Sequence, residues 1–172
     1  MTSLDFSVRL EESQDALHID QLVSTVFGPG MFARAAYALR EGVPHEPELS
    51  FIATLDGELI GSVRLTKILW GKNRALMLGP LAVLQQHAGM GVGKALMNAS
   101  VEASQSLVSQ HGCNVIMLVG DLSYYQPFGF KRIPHGKIVL PRPADPYRIL
   151  ATELSEDALA EYSGVASAMN RN

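Results

Sequence analysis

Across residues 78–107 the apolar pattern changes period, and it does so over three glycines at alternate positions. Leu78 to Leu84 reads as a strand. Gly89, Gly91 and Gly93 follow, and then Val92, Leu96, Ala99, Ala103 and Leu107 recur every three or four residues, predicting a helix over 91–110. Alternate glycines let successive backbone N–H groups turn toward one point, because no Cβ opposes positive φ or close approach. The helix behind them adds free N–H groups and the positive end of its dipole. A strand, a glycine turn and a helix in that order make a seat for phosphate or pyrophosphate.

Two common phosphate-binding loops fail letter by letter. A P-loop needs glycine five residues before Gly93 and a hydroxyl residue after Lys94, where the chain has Ala88 and Ala95. The dinucleotide fingerprint needs a third glycine at Lys94 or Leu96. The strand before the loop also holds Gly79-Pro80. Proline cannot donate to a ladder, so it predicts a bulge or a point where pairing to the neighbour stops. A strand that splays in this way leaves a slot with unpaired N–H and C=O groups. Pantetheine, an extended arm with its own amides and a pyrophosphate at its far end, is a ligand that fits such a slot.

The remaining pattern predicts an α/β (α+β) chain with a mixed, mainly antiparallel central sheet and helices on both faces. Residues 6–11 read as a short strand. Ser13 reads as the N-cap of a helix with Leu17, Ile19, Leu22, Val23 and Val26 inward, and 31–41 as a second helix after Gly28-Pro29-Gly30. Residues 49–55 and 58–69 are β runs joined by Asp56-Gly57, and Gly71-Lys72-Asn73 turns into a strand at 74–84. Asn114–Val119 is a buried strand, 121–128 a helical turn or two, and 130–140 and 147–154 are further strands. Ser155 is expected to cap a last short helix, and residues 163–172 to fray.

Bulk properties narrow the class. The 172 residues suit a single domain over 1–172, with 47% hydrophobic and 18% charged residues. A net charge of −3 offers no general attraction to nucleic acid or an anionic membrane. The first twenty residues carry acids and no apolar segment, and no run approaches a membrane span, so a cytoplasmic home is expected. The single cysteine, Cys113, excludes an intramolecular disulfide and a Cys-rich zinc site, and reads as a small buried hydrophobe.

The glycine turn resembles the coenzyme A motif of the GNAT superfamily of N-acetyltransferases: Gln or Arg, two residues, Gly, one residue, then Gly or Ala. The match is Ala88-Gly89-Met90-Gly91-Val92-Gly93, with Ala88 departing from the first position. A second family signature, an aromatic-Tyr pair four residues before Gly-Phe, matches Tyr124-Tyr125-Gln126-Pro127-Phe128-Gly129-Phe130. Gly120-Asp121 ahead of the tyrosines resembles one branch of the family. The resemblance covers roughly residues 6–140.

It implies a GNAT-type fold and transfer of an acetyl group from acetyl-CoA to an amine acceptor, with no metal, nucleic acid or membrane involved and room for a homodimer. The alternative is a non-catalytic acyl-CoA sensor on the same fold. By carry-over, the backbone from Ala88 through Gly89, Met90, Gly91, Val92 and Gly93 to Lys94 would bind the pyrophosphate. The edge of Leu81, Ala82 and Val83 would pair with pantetheine. Tyr125 would protonate the leaving thiolate, with Tyr124 assigned to packing. The general base stays open among Glu46, Glu48, His87, Asp121 and His135, and the acceptor site falls in the segment from Phe27 to Leu49.

Overall fold

In the computed structural model, which describes residues 5–169, the Asp56-Gly57 pair makes the turn its sequence predicts. Both residues have positive φ, 51° and 81°, and β2 (Phe51–Leu55) and β3 (Glu58–Trp70) run antiparallel from it. β1 (Ser7–Leu10) adds to β2, and β4 (Asn73–Val83) pairs with β3 along most of its length. β5 (Val115–Val119) joins β4 in parallel, followed by β8 (Ile149–Glu153) and β6 (Lys131–Arg132). β9 (Gly164–Ala168) takes the edge of β3 beyond β2 and pairs with β7 (Ile138–Val139).

Side chains alternate across this sheet and divide the core into two faces. On one face lies α3 (Val92–Ser106), whose Val92, Leu96 and Met97 pack on Val63, Leu65, Leu76, Leu78, Ile116 and Leu118. The other face is covered by α1 (Ala16–Phe27) and α2 (Ala35–Arg40). Ile19, Leu22 and Val23 of α1 meet Ile52 and Ala82, while Leu39 of α2 meets Ile68, Trp70, Met77 and Met117. Each fully buried aliphatic side chain contributes about 1.5–3 kcal/mol relative to exposure.

Several expectations need correction. Of the five apolar residues expected inward in α1, Ile19, Leu22 and Val23 are buried, whereas Leu17 is 66% exposed and Val26 37% exposed. Residues 29–33 form a 3₁₀ turn, so the second helix is shorter than 31–41. In α3 the inner face also takes in buried Ser100 and Ser104, with Ala103 and Leu107 half-buried against the same core and Ala99 outside it, and the chain re-forms a short α4 (Val108–His111). Both serines are tolerated there because each hydroxyl donates to a carbonyl of its own helix, Met97 at 3.2 Å and Ser100 at 2.7 Å.

The run 130–140 is two short strands, interrupted at Pro134 and at Gly136, whose φ is 82°. The last helix is a 3₁₀ turn (Ala158–Glu161) entered from Asp157, not from Ser155. The tail does not fray over 164–168; the final three residues of the expected frayed segment lie outside the described residues. β9 is anchored because Gly71 N–H donates to the Val165 carbonyl at 2.9 Å, and a side chain at Gly71 would collide with the Ser163 carbonyl. Among the described residues no helix is long and apolar enough to cross a membrane, and no group of three or more His, Cys, Asp or Glu is placed to hold a metal ion.

Candidate functional site

The proline in β4 does what its chemistry predicts. Val63 faces Leu81 and Leu65 faces Leu78, so two steps on β3 span three on β4, and the extra residue lies at Gly79-Pro80. On its other edge β4 pairs with β5 only at Leu76↔Ile116 and Met77↔Met117. Beyond those positions the two strands part and open a cleft of about 590 Å³. Leu78 to Leu81 and Val83 line one wall; Val119, Gly120, Asp121, Tyr124 and Tyr125 line the other. Met31, Arg34 and Arg40 reach in from the α1–α2 side.

The glycine turn sits next to this cleft. Gly89 and Gly91 have φ of 80° and 84°, and Gly91 is the left-handed N-cap of α3. A Cβ at either would meet nothing within 4 Å, so both leave open space in front of the backbone. The first helical bond runs from Ala95 N–H to the Gly91 carbonyl at 3.0 Å. The N–H groups of Val92, Gly93 and Lys94 therefore have no partner inside the helix. Val92 itself is buried, and a Cβ on Gly61 would lie 2.9 Å from its Cγ1 and 3.0 Å from Leu96 Cδ1. That close approach fixes the start of α3 on β3. Ala88 and Lys94 are exposed, and Ala88 lies in extended conformation with ψ 142°.

Asp121 caps α5 (Leu122–Tyr125) through its carbonyl, which accepts from Tyr124 N–H at 3.1 Å and Tyr125 N–H at 3.2 Å. The two tyrosine rings meet edge to face at 4.8 Å. Tyr125 lies over Gly120, where any side chain would collide with its ring, and 6.0 Å from Phe130. Burial, with lesser help from Tyr124, pushes its phenol up to about 12 in place of the ordinary value near 10.

Tyr124 is 44% exposed and reaches further than a packing residue needs to. Its hydroxyl occupies the space a Cβ on Gly93 would take, which links the cleft to the N-terminus of α3. Nothing in the spacing of the motif signals this contact, since the two residues are far apart in sequence.

The structure thus gathers Leu81, Val83, Tyr124 and Tyr125 around one cleft. Ala82 is buried toward α1 and does not line the cleft. Residues 88–94 stand beside the cleft, joined to it where Val83 Cγ2 lies 3.8 Å from a Cβ built on Gly93. Of the five acids and histidines considered as a base, Asp121 alone borders the cleft, and it pairs with Arg148 at 3.1 Å. Glu46 lies 3.8 Å from Lys67, and His135 lines a separate hollow. Cys113 is fully buried, and burial pushes its thiol up to about 11, which leaves it unreactive.

A second cavity, of about 450 Å³, shares Met31, Arg40, Gly79 and Pro80 with the first. In its wall, Arg64 grips Glu11 with two bonds of 2.6 and 3.0 Å, and His45 Nε2 lies 3.2 Å from the same carboxylate. Burial drives the His45 imidazole below its usual value, opposed by Glu11.

Residues 17–130 match the model of the acetyltransferase (GNAT) family. The uncharacterised N-acetyltransferase YjhQ of Escherichia coli (strain K12) is 29% identical over 135 residues, spanning 76% of this chain and 72% of its own length. The GNAT family N-acetyltransferase YhbS from Escherichia coli, solved in complex with CoA, superposes with a TM-score of 0.78 at 25% identity, covering 96% of this chain and 90% of that one. A GNAT family acetyltransferase from Brucella melitensis, solved with acetyl-CoA, gives 0.64 at 25% identity over 95% and 96% of the two chains.

Proposed function

Because the chain belongs to the GNAT family of acetyltransferases, we propose that it transfers an acetyl group from acetyl-CoA to a primary amine of a small molecule or peptide by direct attack in a ternary complex. The observation that carries this reading is the parting of β4 from β5 beyond Met77 and Met117, which opens a cleft beside the N-terminus of α3.

The residues present fit the coenzyme. N–H groups of Val92, Gly93 and Lys94 are free for pyrophosphate oxygens, and the open space at Gly89 and Gly91 lets those oxygens approach the backbone. Ala88 offers no polar side chain, so binding at this end rests on main-chain groups and the helix dipole. The edge of β4 at Leu81, Ala82 and Val83 has β3 on one side and no strand on the other, leaving peptide groups for the two amides of pantetheine.

Bound acetyl-CoA supplies the thioester from which the amine takes its acetyl group. A peptide N–H on the free edge of β4 polarises the carbonyl as its charge develops. Tyr125 Oη, kept protonated by burial, donates to the sulfur as the C–S bond breaks; the attacking nitrogen sheds its extra proton to solvent, and solvent reprotonates the phenolate. The same reading treats the chain as one catalytic unit and requires no metal ion.

An amine screen with acetyl-CoA that measures released thiol, run beside a calorimetric titration, tests the proposal. Acetyl-CoA is expected to bind and to stabilise the fold by about 2.7 kcal/mol at a hundredfold excess over its Kd. At least one amine is expected to release thiol. Binding without turnover on any amine leaves a coenzyme sensor, and no binding at millimolar ligand refutes the site.

A further inference from the structure

We propose that the acceptor amine also carries a carboxylate, and that Arg40 holds it; this rests on the acetyltransferase reading of the cleft and names its substrate class. Arg40 ends α2 and borders both cavities where they meet at Gly79-Pro80, the bulge at which β4 leaves its neighbour. Its Nε donates to the Ala36 carbonyl of its own helix at 3.3 Å, and the Tyr37 ring lies 5.9 Å from the guanidinium carbon. Among the described residues no carboxylate, that of its neighbour Glu41 included, forms an ion pair with it.

Of the other charges at the two cavities, Arg34, Asp20 and Glu41 lie exposed to solvent, and the rest are engaged. Asp121 pairs with Arg148, the Asp145 carboxylate caps Tyr147 N–H at 2.9 Å, and Arg64 is bound through both oxygens by Glu11. A cation held out of bulk water without a counter-charge is costly, and a chain retains one where a ligand supplies the missing anion. Burial lowers the Arg40 guanidinium to about 10, still fully protonated at neutral pH.

The coenzyme does not meet that need, since its pyrophosphate belongs at the start of α3, and none of residues 88–94 lines either cavity. The planar fork of an arginine matches the two oxygens of a carboxylate. A space of about 450 Å³ beyond Arg40 accepts a group the size of an amino acid. Free amino acids and the acidic groups of a peptide share this chemistry.

The test uses the full chain with acetyl-CoA, thiol release and matched acceptors: amino acids, their primary amides, the corresponding amines without the carboxyl group, and short peptides with free or amidated C-termini and with or without an acidic side chain. Carboxylate-bearing acceptors are expected to exceed their neutral partners by about tenfold to a hundredfold in kcat/KM, chiefly through KM. Whether amino acids or peptides show the larger ratio identifies the source. Arg40→Met should reduce the ratio to about one while leaving the Kd for acetyl-CoA unchanged, and Arg40→Lys should keep part of it. Equal rates for carboxylate and neutral acceptors in the wild type overturn the inference and leave acetyl transfer standing, with no variant needed. If no acceptor of any kind releases thiol, the acetyltransferase reading of the cleft fails first and takes the inference with it.

Discussion

Gly93→Ala, made in the wild type and in a Tyr124→Phe background, measures how far the tyrosine pair and the glycine turn depend on each other. Gly93 is the second residue of α3 and its φ is not positive, so alanine there meets no backbone penalty. Alanine is better than glycine inside a helix by about 0.8–1.0 kcal/mol, and somewhat less than this applies in the first turn. In the wild type the added methyl falls on the Tyr124 hydroxyl, so the ring must swing away from Tyr125 at 4.8 Å and Phe128 at 6.1 Å. Aromatic contacts of this kind are worth about 0.5–1.5 kcal/mol, which cancels the helical gain or exceeds it.

Without the hydroxyl, the nearest atoms to the methyl are the ring Cζ at 3.6 Å and Val83 Cγ2 at 3.8 Å, both ordinary contacts. Gly93→Ala should then stabilise the Phe variant by about 0.5–1 kcal/mol. Urea denaturation of the four proteins closes the cycle, with an expected coupling of about 1 kcal/mol, or about 2–4 °C in Tm for a chain this long. If the substitution has the same effect in both backgrounds within about 0.3 kcal/mol, Tyr124 does not rest on the helix start and the link from cleft to loop is broken.

Tyr125→Phe should lower turnover about tenfold to a hundredfold with the Kd for acetyl-CoA preserved. Since burial moves the phenol upward, the hydroxyl stays protonated through pH 10 and the wild-type rate should hold there; an alkaline fall centred near 10 that vanishes in the Phe variant would contradict the burial argument. Gly91→Val places a branched residue at φ 84°, costing about 1–3 kcal/mol of stability, and should abolish coenzyme binding in a chain that still folds by circular dichroism; unchanged affinity reduces the loop to a turn. Gly61→Ala presses a methyl against Val92 and Leu96 and should destabilise by about 1–3 kcal/mol in urea, with no change at all arguing that α3 rides loosely on β3.

The features carried by short-range chemistry were legible in the sequence. Asp56-Gly57, the break at Gly79-Pro80, and the strand–glycine–helix order each act through backbone constraints within a few residues. The sheet and its two helical faces followed from period alone. Long-range contacts were not legible. Residues 164–168 look like a polar tail because their partners, Ile68–Trp70 and Ile138–Val139, lie far away in the chain. Ser100 and Ser104 break the apolar pattern of α3 yet are buried, since their hydroxyls are satisfied locally. Tyr124 looked like packing because its target at Gly93 is set by how α5 and α3 converge, and Arg40 could not be known as a buried cation before the cavities on either side of it were seen.

From Leu78 to Val83, β4 has a sheet neighbour on one side only. To another polypeptide such a row of peptide groups is a template for strand addition, the usual first step of edge-to-edge aggregation. Here the row is short, it bends at the extra residue, and Pro80 removes one donor from it. Tyr124 and Tyr125 stand on the opposite wall, where an incoming strand would have to lie. These are the devices with which natural sheets discourage foreign strands, placed inside a ligand cleft. Under the proposed function, the slender pantetheine arm with its two amides is what passes between those walls, whereas a polypeptide strand, with side chains on both faces, meets the tyrosines.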